Sequence, residues 1–324
     1  MQTSNTYALP VELPDYTQLI CQYDPERRAL WYYMNATPRP CFTPALLNEI
    51  RSFQEHVRDF LTSSADAQDL VRYLVLASAT PAVFNLGGDI ELFARLIHKR
   101  DCQALYDYGR VCVEAIYANT TSLDCHRLTT ISLVQGTALG GGFEAALSSN
   151  VLIAEQDARM GFPEMLFNLF PGMGAMSLLS RKVEPARAER LIIGGNLHTG
   201  SDFLDLRVVD ELAGAGEGVL AVNKFIRRHE RYANGRLAMR RVRQRVHPLT
   251  FAELMDIVAI WVEAAMNLSS RDLHVMDRIV AAQSRLDGLD TTQDLSPEQT
   301  RAPKAAAKPS GFLMKIQKKF ATPR

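Results

Sequence analysis

Two glutamates, Glu144 and Glu164, stand twenty residues apart in a stretch that is otherwise apolar and rich in glycine, VQGTALGGGFEAALSSNVLIAEQDARMGFPEMLFNLFPGMG at 134–174. A carboxylate in apolar surroundings costs free energy unless it is paired or hydrogen-bonded. Two that face one centre push their pKa values apart, leaving an acid beside a base. Such a pair removes a proton from the carbon next to a carbonyl and protonates a hydroxyl leaving the carbon beyond. The spacing alone is met equally by a plainer pair: Glu144 in the first turn of a helix, favoured by the helix dipole, and Glu164 as a loop residue in a salt bridge.

Two glycine turns accompany the carboxylates, Phe84-Asn85-Leu86-Gly87-Gly88-Asp89 and Gly140-Gly141-Gly142. Turns of this kind leave backbone N–H groups free, and a following helix N-terminus adds to their attraction for negative charge. Two such turns can converge on one oxygen, which is the geometry of an oxyanion hole for a reacting thioester. Taken singly, each turn is more simply a strand-to-helix connection.

The elements that would carry these groups follow from pattern. Leu19–Tyr23 and Ala29–Met34 read as strands joined at Asp24-Pro25-Glu26. Thr43-Pro44 opens an amphipathic helix with Leu46, Ile50, Phe53, Val57 and Leu61 on one face. Val71–Ala79 is almost continuously apolar, as in a strand covered on both faces of a parallel sheet. It runs through the first glycine turn into a helix at Ile90–His98, and a longer helix follows at Gln103–Tyr117. A strand at Thr129–Gln135, the second glycine turn, a short helix and a strand at Val151–Ala154 repeat the order, which predicts one α/β domain. From Met173 onward helices are expected at 173–181, 184–192, 216–230, 234–245, 250–267 and 269–286, with a short strand at 207–211. The expected division is a flexible arm at 1–16, an α/β core at 17–210, a helical region at 211–287 and a disordered basic tail at 288–324, in which GFLMKIQKKF at 311–320 has the makings of a basic amphipathic helix.

Composition narrows the class. Lys+Arg and Asp+Glu both number 36, so no charge bias points to nucleic acid. Hydrophobic residues are 47% and charged residues 22%, as in an ordinary globular protein. Five cysteines without a CxxC argue against a zinc site or a disulfide framework, and reduced thiols in the cytoplasm are expected. The first residues have neither a basic start nor an apolar core, and no run reaches the roughly 20 apolar residues of a membrane helix. Histidines such as His126 and His274 show no ligand spacing, so no metal is expected. Gly172-Met173-Gly174 is only half of a dinucleotide fingerprint, and neither GxSxG nor GxxxxGK[ST] occurs. The arginines Arg227, Arg228, Arg231, Arg236, Arg240, Arg241, Arg243 and Arg245 read first as a solvated face, and second as a dock for an acidic carrier protein or CoA phosphates.

ALGGGFE, then FPE twenty residues past its glutamate, then FPGMG, together with FNLGGDIELF at 84–93, closely resembles the enoyl-CoA hydratase/isomerase (crotonase) superfamily. The resemblance spans roughly residues 17–285. It implies a crotonase-like core of repeated ββα units with a C-terminal helical region, assembled as a homotrimer or dimer of trimers. It maps the family's acid/base pair onto Glu144 and Glu164, and its oxyanion donors onto the backbone N–H groups of Leu86 and Gly141. Substrate contacts are implied at Gly87, Gly88, Asp89, Leu139, Gly140, Met173 and Trp261. Leu86, Gly88 and Phe143 depart from the family's usual residues, and the bulk of Leu86 and Phe143 would reshape the acyl pocket.

Within the superfamily, QYDPERRALWYYMNATPRPCFTPALL at 22–47 and RMGFPEMLFNLFPGMGAMSLLSRK at 159–182 are similar to the diffusible signal factor synthases. That similarity implies dehydration of a 3-hydroxyacyl thioester of acyl carrier protein, then thioester hydrolysis, giving a cis-2-unsaturated fatty acid signal for quorum sensing. No cofactor is implied beyond the carrier-protein or CoA thioester itself. A membrane sensor kinase is an implied partner, and a CoA-ester hydratase or isomerase of β-oxidation is the alternative reading.

Overall fold

The computed structural model describes residues 8–283. The expected arm before residue 8 and the basic tail at 288–324 lie outside the described residues.

Strands β1 (Leu19–Asp24) and β2 (Ala29–Met34) form an antiparallel pair. Thr43 caps α1 (Pro44–Ser63), its side chain accepting the Leu46 N–H, with proline at the first turn as the sequence predicts. The chain continues through α2 (Ala65–Leu70), β3 (Tyr73–Ser78), β4 (Val83–Asn85), α3 (Ile90–His98) and α4 (Cys102–Thr120). Then come β5 (Thr129–Val134), β6 (Thr137–Leu139), α5 (Gly141–Leu147), β7 (Val151–Glu155) and β8 (Arg159–Gly161). A 3-10 turn at Pro163–Phe167 leads to α6 (Ala175–Leu179), α7 (Pro185–Gly194), β9 (Leu197–Thr199), α8 (Gly200–Asp205) and β10 (Glu211–Ala213). Helices α9 (Gly218–Glu230), α10 (Ala233–Val246), α11 (Phe251–Met266) and α12 (Ser270–Gln283) follow.

A six-stranded sheet runs β1-β2-β3-β5-β7-β10, parallel except for the β1–β2 pair. Successive side chains on a strand point to opposite faces. Leu30, Tyr32, Leu74, Leu76, Leu152 and Ala154 therefore enter the main core, while Ala29, Trp31, Tyr73, Val75, Ile131 and Ile153 enter a smaller one closed by Val222, Phe225 and Ile226 of α9. Burial on both faces explains why these strands read as unbroken apolar runs.

The sequence reading joined the glycine turns directly to the large-sheet strands, and the structure corrects this. A second, four-stranded sheet, β4-β6-β8-β9, intervenes. Its strands are three residues each, too short to show a period. β4, β6 and β8 lie parallel, with Asn85 opposite Ala138 and Leu139 opposite Gly161. Each ends immediately before a feature singled out above: Leu86–Asp89 after β4, Gly140–Gly142 after β6, and Phe162-Pro163-Glu164 after β8. The region expected to be almost all helical also holds β9 and α8, and the latter opens on a capping box in which Thr199 and Asp202 satisfy each other's backbone N–H.

The small sheet forces the first two turns together. A Cβ on Gly142 would lie 2.2 Å from the carbonyl oxygen of Asn85, a backbone atom with no freedom to swing aside. Gly142→Ala should therefore destabilise the protein by on the order of 1–3 kcal/mol through overpacking. The expected readout is a lower urea midpoint at unchanged slope. An unchanged midpoint would show that the two turns are not in contact.

Candidate active site

Glu144 sits in the first turn of α5 and is 1% exposed. Its Oε1 accepts two main-chain N–H bonds, from Met173 and Ala175, each 2.9 Å. The donors stand on either side of Gly174, the cap of α6, whose φ of +138° lets both amides turn toward one oxygen. Burial pushes the Glu144 carboxyl up to about 7, and the main-chain donors hold it back from rising further.

Glu164 belongs to the 3-10 turn. Its carboxyl is enclosed, and Oε2 has no hydrogen-bond partner among the described residues. Oε1 lies against the bare α-carbon of Gly140, so close that a Cβ there would be 2.0 Å away. Burial first, and the neighbouring Glu144 charge second, push Glu164 up to about 8. The structure thus places Glu164 within reach of the Glu144 charge, which adds to burial in keeping its carboxyl protonated. The salt bridge that would have explained Glu164 away is absent among the described residues.

The turn after β4 corrects one assignment. The N–H of Leu86 donates to the Pro40 carbonyl at 2.8 Å, so it is spent and cannot serve a ligand oxygen. The N–H of Gly87 donates to the Asn85 side chain at 2.8 Å. In these turns the N–H groups of Gly88 and Gly141, and that of Gly142 inside the second turn, find no acceptor among the described residues. Gly88 and Gly141 adjoin each other: a Cβ on Gly141 would lie 3.4 Å from the Gly88 nitrogen, and one on Gly87 would lie 3.3 Å from the Gly141 nitrogen. Gly88 therefore takes the place the sequence reading gave to Leu86. A donor is identified by which amides the fold leaves unbonded, and no residue type reports that.

Asp89, expected at the substrate, is committed internally. Its Oδ1 accepts the Leu92 N–H at 3.1 Å, capping α3, and an Arg39 Nη2 bond at 3.2 Å. Gly140 closes the second turn, its N–H on Gly161 and its carbonyl accepting from Phe143 and Glu144. Leu139 is buried beside Gly87. Met173 meets the site through its backbone. Trp261 of α11 is buried, set edge-on to Phe93 at 5.1 Å and flush against Gly172, where a Cβ would lie 2.3 Å from the indole. Gly172 directly precedes Met173, one of the two donors on Glu144. No group of metal-ligating side chains occurs among the described residues, and no described helix is long and apolar enough to cross a membrane.

The arginine stretch lies elsewhere. Its buried member, Arg240, bonds Asn150 and the His126 carbonyl and lies 3.5 Å from Thr129 Oγ1, at the beginnings of β7 and β5. The glycine turns sit at the other end of α5, which rises about 10 Å over its seven residues.

Comparison with known proteins agrees with the fold. A family model described as enoyl-CoA hydratase/isomerase matches residues 48–265. A probable enoyl-CoA hydratase of Bacillus subtilis is 33% identical over 126 residues, 39% of this chain and 46% of that protein. The chain spans about half the length of the first curated relatives it matches. An enoyl-CoA hydratase/isomerase structure from Xanthobacter autotrophicus superposes with TM-score 0.67 at 18% identity, over 84% of this chain and 96% of that one. Pseudomonas aeruginosa DspI superposes with TM-score 0.56 at 21% identity, over 84% and 98%.

The coupling of the carboxyls has a measurable sign. Glu144→Gln removes a negative charge that raises Glu164, so Glu164 should titrate below its value of about 8, though still above an ordinary glutamate because it stays buried. Carboxyl 13C NMR titration reads this directly. An unmoved Glu164 would show that the two groups do not share a site.

Proposed function

The chain belongs to the enoyl-CoA hydratase/isomerase family, and on that premise we propose that it dehydrates a 3-hydroxyacyl thioester of acyl carrier protein and then hydrolyses the thioester, releasing a cis-2-unsaturated fatty acid signal. The observation that carries the reading is the pair of buried, raised carboxyls beside two unbonded main-chain donors. The thioester oxygen binds the N–H groups of Gly88 and Gly141, which stabilise the enolate that forms when the Cα proton leaves. One carboxyl accepts that proton while the other protonates the hydroxyl departing from Cβ; the Cα–H and Cβ–O bonds break, a C=C bond forms and water is lost. The same pair then activates a water against the carbonyl carbon. The C–S bond breaks, the carrier thiol leaves, and a free acid remains.

The hydrolytic step rests on the similarity of 22–47 and 159–182 to the diffusible signal factor synthases. Substrate contacts are proposed at Gly87, Gly140, Leu139, Met173 and Trp261, with a homotrimeric or dimer-of-trimers assembly. A second reading, reversible hydration or isomerisation of CoA esters, is favoured by the names of the curated relatives.

Two measurements test the proposal. Glu144→Ala and Glu164→Ala should each lower turnover by roughly 10²–10⁴-fold with the fold intact by circular dichroism. Near-normal turnover in either variant would remove that residue from the mechanism. Mass spectrometry of products from 3-hydroxyacyl carrier protein decides between the readings, because free unsaturated acid marks the signal synthase and an intact enoyl thioester marks the hydratase. For the wild type, one carboxyl must be protonated and the other ionised. The rate should therefore peak between about pH 7 and 8, falling below as both carboxyls protonate and above as both ionise. A rate that falls on neither side of that window, below about pH 7 or above about pH 8, would exclude the pair as acid and base.

A further inference from the structure

Each peptide plane next to the Gly88 N–H is held by a partner at one end or the other. The Leu86 N–H is on Pro40, the Gly87 N–H is on Asn85, and the Gly87 carbonyl accepts the Phe42 N–H at 2.8 Å. The Gly87 carbonyl and the Gly88 N–H share one peptide plane and point in opposite directions. Phe42 therefore aims the Gly88 N–H by gripping the other end of its plane. The next plane is gripped as well, because the Asp89 N–H donates to the Tyr108 hydroxyl at 3.3 Å.

Tyr108 connects the two grips. Its hydroxyl donates to the Phe42 carbonyl at 2.7 Å while accepting from Asp89. The side chain is buried on α4, edge-on to Phe93 with ring centres 4.9 Å apart. Phe93 in turn packs against the Gly88 α-carbon, where a Cβ would lie 2.5 Å from its ring and 3.6 Å from the Tyr108 oxygen. Burial raises the Tyr108 phenol well above its ordinary range, so it keeps the proton it donates.

We propose that Tyr108 is a positioning residue, whose hydroxyl pins the peptide planes on both sides of Gly88 and so holds the Gly88 N–H on the substrate carbonyl. This rests on the oxyanion reading of Gly88 and Gly141 given above. Tyr108 itself touches no reacting atom. Its removal loosens a donor by a fraction of an ångström, and misplacement on that scale costs about tenfold to a hundredfold in rate.

The test compares wild type with Tyr108→Phe, using a cinnamoyl thioester of pantetheine as probe. Its absorption moves to the red when its carbonyl is hydrogen-bonded and polarised. The expected result for Tyr108→Phe is a smaller red shift and a kcat lowered about tenfold or more, with KM within about threefold of wild type. A variant that matches wild type in both red shift and kcat overturns the proposal. So does a variant that raises KM while leaving kcat unchanged, because that pattern marks lost binding rather than lost aim. If wild type shows no red shift, the oxyanion reading itself fails, which separates that failure from an error about Tyr108. Thermal melts establish that the variant is folded. Should it not be, 3-fluorotyrosine at position 108 keeps the shape and both bonds while changing the strength of the hydroxyl as a donor. The red shift must then change, and an unchanged shift overturns the proposal.

Discussion

Two stretches of main chain can lie within hydrogen-bond reach of one oxygen only if no Cβ stands between them. That steric constraint governs the site. Gly87, Gly141 and Gly142 abut backbone atoms of the facing turn at 2.2–3.4 Å from where a Cβ would be. Only Gly87 of the three also has a positive φ, so for the other two the reason for glycine is space rather than conformation. The three parallel strands β4, β6 and β8 set this approach, because their ends are aligned by register and each hands the chain directly to one of the turns of the candidate site.

Close packing of bare backbone also dries the site, and dryness is what gives the carboxyls their chemistry. A glutamate in water is ionised at neutral pH and makes a poor acid. Glu144 and Glu164 are both moved toward neutrality by loss of water, and they differ because Glu144 draws on more main-chain amides while Glu164 also feels the Glu144 charge. Two amides on Glu144 Oε1 favour its anion. Glu164 has an oxygen with no partner and the charge of Glu144 nearby. Opposed environments for two like groups make an acid–base pair.

Much of this was legible in the sequence. The apolar runs at 71–79 and 129–135, the Thr43-Pro44 helix start and the two glutamates in glycine-rich surroundings all stand where expected, because period, caps and glycine carry local physics. The small sheet was not legible. Three residues give no alternation to read, and β4, β6 and β8 owe their strand conformation to their neighbours. The donor identity was not legible either. Leu86 and Gly88 lie in one turn, and which of their amides is free depends on Pro40, more than forty residues earlier in the chain. Long-range hydrogen bonds of this sort leave no mark on spacing.

The helices after residue 250 complete the enclosure. α11 lays Trp261 on Gly172, two residues before the cap of α6, so the amides on Glu144 are braced from outside. α12 packs on both α3 and the Glu164 turn, with Asn168 bonded to Asp272, and so spans the distance from one functional turn to another. Arg100 of the α3–α4 connection reaches the Met266 carbonyl at the end of α11. The same helices that exclude water therefore hold the backbone donors in place. A site whose acids depend on dryness and whose carbonyl donors depend on fixed amides gains both from one layer of packing. That is the physical reason why the arrangement of residues 84–175 draws on packing as far along the chain as Met276, which is fully buried in the main core.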